Sequence, residues 1–313
     1  MSSYPRGNII VVKKVAVLYG GSSSERNVSL MSGQAVSQAL KRKGYDVVDI
    51  DVDQSFDITS LPSMEIEKAF LALHGGDGED GTLQAALQLL NIPYTGSDHR
   101  ASAVGIDKAM TKKVWQASGI TTPRFFGLQQ SSYRPDSLTD YLQDYTFPLV
   151  VKPATQGCSI GINKAHNIEE LHRFIDEAFM YESNILIEQY ISGREFTVGI
   201  LDQQVLPSVE ITHSHSFFSH EAKFKASDTQ YHCPAEVTPE QEEQMRSLAL
   251  SAFKAINASG WGRVDIIADE NGCFYAIEVN TAPGMTTRSV FPLATEQVGI
   301  DFDDTVEAIL RCA

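Results

Sequence analysis

The stretch WGRVDIIADENGCFYAIEVN, residues 261–280, carries the strongest structural signal in the chain. Two half-apolar runs flank Asn271-Gly272, a dipeptide that favours a tight hairpin turn. With those two residues as the whole turn, 270 faces 273, Asp265 lies opposite Glu278, and Arg263 lies opposite Asn280. Directly opposed side chains share one face of a sheet, and opposed carboxylates destabilise it unless something offsets their repulsion. A hard cation with oxygen ligands is one such offset, and Asn280 adds a third oxygen on that face. Mg²⁺ commonly takes one or two carboxylates and completes its shell with substrate phosphates. Arg263 presents a planar cation suited to a developing oxyanion or a phosphoryl group. A solvated hairpin face with mixed charges fits the same pattern.

Upstream, PLVVKPATQGCSIGINKA (148–165) reads as a strand, a glycine-containing loop and a second strand. Loop N–H groups can cradle phosphate, and Lys152 at the end of the first strand can reach it as a point charge. ILIEQYISGREFTVGIL (185–201) places Glu188 and Glu195 at the ends of two apolar strands, where carboxylates can accept from ribose hydroxyls. A surface hairpin with a lysine and ordinary strand-end charges are the plainer alternatives. VAVLYGGSSSERNVSL (15–30) is a strand, a tight turn and a helix start without the GxGxxG of a dinucleotide site. Glu25 in that turn suits a substrate ammonium, or simply the first turn of its helix. ALHGGDGEDGTLQ (72–84) sets His74 at the C-terminal end of a strand, where open α/β sheets bind ligands.

Strands at 14–19, 45–51 and 69–73 alternate with helices, which implies a parallel sheet. A helix over 107–118 leads to strands at 149–152, 160–164, 184–189 and 195–201, with a helix over 168–179. A strand over 205–211 precedes a long polar loop, the usual form of a lid. A helix over 239–257, the hairpin 262–280 and a helix over 303–312 complete the chain. The reading is mixed α/β in three parts: 1–105, 106–195 and 196–313.

The 313 residues carry a net charge of −15, which argues against a nucleic-acid or anionic-membrane surface. No apolar run approaches a bilayer span. Cys158, Cys233, Cys273 and Cys312 are scattered without metal-ligand spacing, as in a reducing compartment. These features lead us to expect a cytoplasmic protein.

GRVD (262–265) and EVNTAPGM (278–285) resemble the metal and oxyanion segment of the ATP-grasp ligases. From about residue 14 to the C-terminus, five motifs in the family's order make the chain similar to the D-alanine–D-alanine ligases. The resemblance implies a three-part ATP-grasp architecture with an N-terminal parallel sheet. It implies ATP as phosphoryl donor and two Mg²⁺ ions, with Mn²⁺ as substitute, on Asp265, Glu278 and Asn280. It implies ATP contacts from Lys108, Lys152, Ser159, Glu188, Gln189, Tyr190, Ile191, Glu195 and Lys223. Glu25 then meets the amine of the first D-alanine, with His74 beside the reacting groups. Arg263 and a backbone N–H near Gly284 receive the oxyanion, and Ser289 and Val290 bind the second carboxylate. The implied product is D-alanyl-D-alanine, made through an acyl phosphate for peptidoglycan, cell-wall biogenesis and cell shape. A homodimer is also implied.

Three positions depart from the family's usual pattern: Cys158 for the first loop serine, Phe224 for the lid tyrosine, and Arg288 for a histidine. A thiol is a weak donor and Phe has no hydroxyl, so the expected Glu25–Cys158–Phe224 network is weakened. Family members with Phe at the lid position include enzymes that use D-lactate, which keeps D-alanyl-D-lactate synthesis as an alternative. A glutathione-synthetase-like ligase suits the clamp and the hairpin, but not GGSSSERNVSL or LHGGDGEDG. A nucleotide-binding regulatory module without catalysis is the alternative from another class.

Overall fold

The alternation in the first hundred residues becomes a parallel sheet of order β2-β1-β3, with β1 Lys14–Tyr19, β2 Asp46–Asp51 and β3 Lys68–Leu71. In this computed structural model the described residues are 14–157, 160–213 and 229–313. Helix α1 (Arg26–Arg42) follows the Gly20-Gly21 turn, and α2 (Thr82–Leu89) follows the loop after β3. β1 is buried along its interior because helices cover both sheet faces.

Two short helices, α3 (His99–Ile106) and α4 (Lys108–Ala117), lead out of this unit. Asp107 caps α4 by accepting from the Met110 N–H. A four-stranded antiparallel sheet follows, of order β4-β7-β5-β6. Its strands are β4 Phe125–Gln129, β5 Leu149–Pro153, β6 Asn163–Ala165 and β7 Asn184–Gln189. Between them come a single turn, α5 (Leu138–Tyr141), and the amphipathic α6 (Ile168–Phe179). Leu171, Ile175 and Ala178 of α6 pack on Leu149, Val151 and Ile187.

The second antiparallel sheet has order β10-β9-β8-β11-β12. It comprises β8 Gly193–Leu201, β9 Gln204–Thr212, β10 Gln230–His232, β11 Trp261–Asp269 and β12 Phe274–Asn280. Helix α7 (Pro239–Ala255), opened by a Thr238/Gln241 capping box, covers one face. Phe196, Val198, Val264 and Ile266 pack there against Met245, Ala249 and Phe253. Arg263, Asp265 and Ile267 of β11 therefore share the opposite face. Helices α8 (Val290–Gln297) and α9 (Phe302–Arg311) return to the N-terminal unit. Val306, Ile309 and Leu310 join Val36 and Leu40 in one core, and Arg42 pairs with Asp303.

The sequence reading missed β4, α3, α5, β10 and α8, none longer than eight residues. The strand after the glycine-containing loop begins at Asn163 rather than 160. No helix among the described residues is long and apolar enough to cross a membrane. Cys233, Cys273 and Cys312 are free thiols, and burial, with Glu242 adding, pushes Cys233 up to about 11.

Candidate active site

The hairpin reaches its expected register by an unexpected route. Asp269 N–H donates to the Cys273 carbonyl at 2.9 Å, so the turn holds three residues, Glu270 to Gly272, with Gly272 at φ 81°. That shift alone would set Asp265 opposite Ile277, and Glu278 would leave the face. A bulge after Ala276, which pairs with Ile266, restores the count, so Asp265 does oppose Glu278 and Arg263 opposes Asn280.

On this face Arg263 donates to the Asp265 carboxylate and lies 3.4 Å from the Thr197 hydroxyl. Asn280 Oδ1 accepts from the Ala282 N–H at 3.1 Å. Glu195 and Thr197 on β8 pair with Ile267 and Asp265, which adds a third carboxylate. Burial raises the Glu195 carboxyl, His213 at 3.7 Å partly offsets that, and Asp265 and Glu278 raise it further. The face thus gathers three carboxylates around Arg263. Among the described residues no three His, Cys, Asp or Glu side chains stand as ready-made metal ligands. The donor set is two carboxylates and an amide, which fits a hard cation that draws its other ligands from substrate and water.

Across from it, the four-stranded sheet carries the opposite excess. Lys152 and Lys112 both pair with Glu188, Lys112 at 2.9 Å. Burial alone would raise the Glu188 carboxyl, but Lys112 and Lys152 outweigh it and hold the group below the usual carboxylate range. Glu188 is 4 % exposed, as is Lys152, and both lysines pair with it. Lys108 Nζ donates to the Gln156 carbonyl at 2.8 Å and lies 3.9 Å from Glu278, joining the phosphate-loop side to the hairpin.

At the first-substrate end, Glu25 is the N-cap of α1 but its side chain caps nothing. It reaches instead to Gly157, where a Cβ would overlap its carboxylate. His74 is buried, with Nδ1 3.0 Å from the Ala282 carbonyl and Nε2 2.9 Å from the Ser32 hydroxyl. The carbonyl fixes the proton on Nδ1, so Nε2 accepts from Ser32. Ser32 in turn accepts from the Met285 N–H at 3.1 Å. These contacts fasten the N-terminal unit to the 281–285 segment that bears Gly284. The Ser289 hydroxyl accepts from the Thr286 N–H at 3.0 Å, and a Cβ on Gly284 would come within 3.2 Å of it.

Arg263, Asp265, Glu278, Asn280, Lys108, Lys152 and Glu195 thus line the space between the two antiparallel sheets. Glu25, His74, Gly284, Ser289 and Val290 gather where the N-terminal unit meets the segment after β12. The Gln189 side chain grips the backbone of Thr146 and Pro148, pinning the 189–192 crossing, and Tyr190 lies under Lys164 Nζ at 3.7 Å. Ile191, half-buried, completes that crossing. Cys158, Ser159, Lys223 and Phe224 lie outside the described residues. Lys112, Ser32 and Thr122 escaped the sequence reading. Lys112 is four residues from Lys108 on the face that also buries Thr111 and Trp115, a spacing that should have marked it.

A family model for the C-terminal part of D-ala D-ala ligases matches residues 114–311, and one for the N-terminal part matches 14–60 and 57–97. The chain is similar to a D-alanine–D-alanine ligase from Bacillus anthracis solved with ATP. That likeness is 33 % identity over 96 % of this chain and 97 % of that one, at TM-score 0.83. A second structure of the Bacillus anthracis enzyme matches at 34 % identity, 96 % and 97 % coverage and TM-score 0.85. The VanG D-Ala:D-Ser ligase from Enterococcus faecalis matches at 27 % identity, 96 % and 99 % coverage and TM-score 0.85.

Proposed function

Because the chain belongs to the D-alanine–D-alanine ligase family, and is thereby an ATP-dependent ligase of ATP-grasp fold, we propose that it joins two D-alanines through an acyl phosphate. The observation that carries this reading is the opposed charge of the two facing sheets. Lysines line one side and carboxylates the other, a charge pattern that a metal-bound triphosphate complements.

In this reading Lys108 and Lys152 neutralise the ATP phosphates, and the crossing at Gln189, Tyr190 and Ile191 borders the base. Asp265, Glu278 and Asn280 hold Mg²⁺, which when bound neutralises phosphate charge during transfer. Glu25 receives the ammonium of the first D-alanine, whose carboxylate attacks the γ-phosphate. The second amine then attacks the acyl carbon and phosphate leaves. Arg263 and the backbone near Gly284 stabilise the tetrahedral oxyanion, an effect worth ~3–4 kcal/mol per donor. Ser289 and Val290 receive the second carboxylate.

The test is product identification by mass after incubation with ATP, Mg²⁺ and D-alanine, alone and with D-serine or D-lactate. The expected product is D-alanyl-D-alanine, with ADP release that depends on D-alanine. A chain that binds ATP without such release is a regulatory module, and the ligase reading falls. A second reading, with D-serine or D-lactate as preferred second substrate, draws support from the likeness to a D-Ala:D-Ser ligase. A mixed product that dominates in competition with D-alanine would establish it.

A further inference from the structure

Lys112 is wholly buried, so its ammonium cannot touch a ligand directly. Its surroundings are nonetheless built around that charge. Nζ donates to the Thr122 hydroxyl at 2.6 Å and pairs with Glu188 at 2.9 Å. The Phe125 ring lies 5.9 Å away. Thr122 passes the contact on, donating to the Ala276 carbonyl at 2.8 Å. Ala276 is the residue just before the bulge that returns Glu278 to the metal-binding face, and its own N–H donates to the Thr121 carbonyl at 2.9 Å.

One lysine would suffice to neutralise Glu188, and Lys152 is already in contact with it. A second buried ammonium is costly. Burial pushes Lys112 down to about 8, with Lys152 adding to the fall and Glu188 and the more distant Glu278 opposing it. Two cations on one carboxylate leave the cluster a net positive charge, and Lys152 is the less deeply buried of the two cations.

We propose that Lys112 is a positioning residue: through Glu188 it presents Lys152 to the phosphates of ATP, and through Thr122 it ties that lysine to the bulge that sets Glu278. This rests on the ATP-dependent ligase reading. Lys112 takes no part in bond making.

The experiment measures the affinity of a non-hydrolysable ATP analogue with Mg²⁺ for wild type, Lys112→Met and Thr122→Val, by calorimetry from pH 6.5 to 9. Lys112→Met should bind the analogue about tenfold more weakly, the scale of one charge-assisted hydrogen bond. The KM for ATP should rise with it while the KM for D-alanine holds. Wild-type affinity should fall as pH rises past about 8, where Lys112 loses its proton, and this limb should vanish in Lys112→Met. Thr122→Val, which keeps the charge and cuts the tie, should lose about threefold. Binding within twofold of wild type by Lys112→Met, across the pH range, overturns the proposal. If that variant does not fold, wild-type-like binding by Thr122→Val overturns it. A wild type that binds the analogue yet releases no ADP with D-alanine defeats the ligase reading alone.

Discussion

Glu188 and Glu195 sit on consecutive strands, seven residues apart, and their carboxyls are shifted in opposite directions. Glu188 belongs to the four-stranded sheet, where Lys112 and Lys152 outweigh its burial and hold it low. Glu195 opens the five-stranded sheet, where burial, Asp265 and Glu278 outweigh His213 and hold it high. Residue type is the same; the charge of the facing neighbours differs. One sheet stores excess cation and the other excess anion, and Lys108 spans the gap between them. The difference shows how the neighbours, and not the residue type, decide the direction in which a buried carboxyl is shifted.

The sharpest way to break this contrast is Glu188→Gln. It removes the anion from between two buried ammoniums, and losing one member of a buried ion network costs on the order of 3–5 kcal/mol. Denaturant unfolding at pH 7 should show that loss. Unchanged stability would mean that the lysines are not held by Glu188. Next in size is Arg263→Met on the other sheet. It should lower kcat by about 10²–10³, the effect of deleting one oxyanion donor, with folding intact. A loss confined to KM for ATP would move Arg263 from the oxyanion to the nucleotide.

Glu278→Gln should act in two directions. Mn²⁺ affinity, read by electron paramagnetic resonance in the presence of ATP, should fall by at least about 100-fold. The ligand-free protein should gain ~0.2–1 kcal/mol, since a like-charge pair across the hairpin is relieved. A variant that loses stability instead would show that Glu278 acts as a structural partner of Lys108, 3.9 Å away, and not as a metal ligand.

The two sheets also differ in how much of them was legible. The carboxylate face of the hairpin followed from alternation and one turn dipeptide, because register in a half-buried hairpin is strongly specified. Yet the turn has three residues, and only the bulge at 277 returns Glu278 to its place. Two departures cancelled, and no local pattern announces either. In the smaller sheet, Lys152 was legible as a strand-end lysine beside a glycine loop. Lys112 was not, because burial of a lysine depends on a carboxylate that the chain supplies 76 residues later. The burial of Glu188 was hidden for the same reason: its local pattern is that of a strand-end carboxylate, and the lysines that close over it come from a helix and another strand. Parallel order in the N-terminal sheet was the simplest to read, since strand–helix alternation admits little else.

The smallest predicted effect tests the contrast most directly, because it concerns sign rather than size. For Glu188, a carboxyl held below its ordinary 4.5 favours the folded state above that pH, and this stability is lost as pH falls. For Glu195, a carboxyl held above 4.5 works the other way: its contribution is present below about pH 4.5 and is lost as pH rises through the raised value. Glu195→Gln abolishes that loss. The ligand-free variant should match wild type near pH 4 and exceed it by less than about 1 kcal/mol at pH 7, the group being partly open to solvent. Adding Mg²⁺ and an ATP analogue at pH 7 should shrink the difference, because a bound cation removes the repulsion that Gln had relieved. A variant that instead grows weaker than wild type as pH rises would show the His213 attraction exceeding the repulsion from Asp265 and Glu278. The five-stranded face would then be internally balanced, and a cation between its carboxylates would no longer be required by their charge.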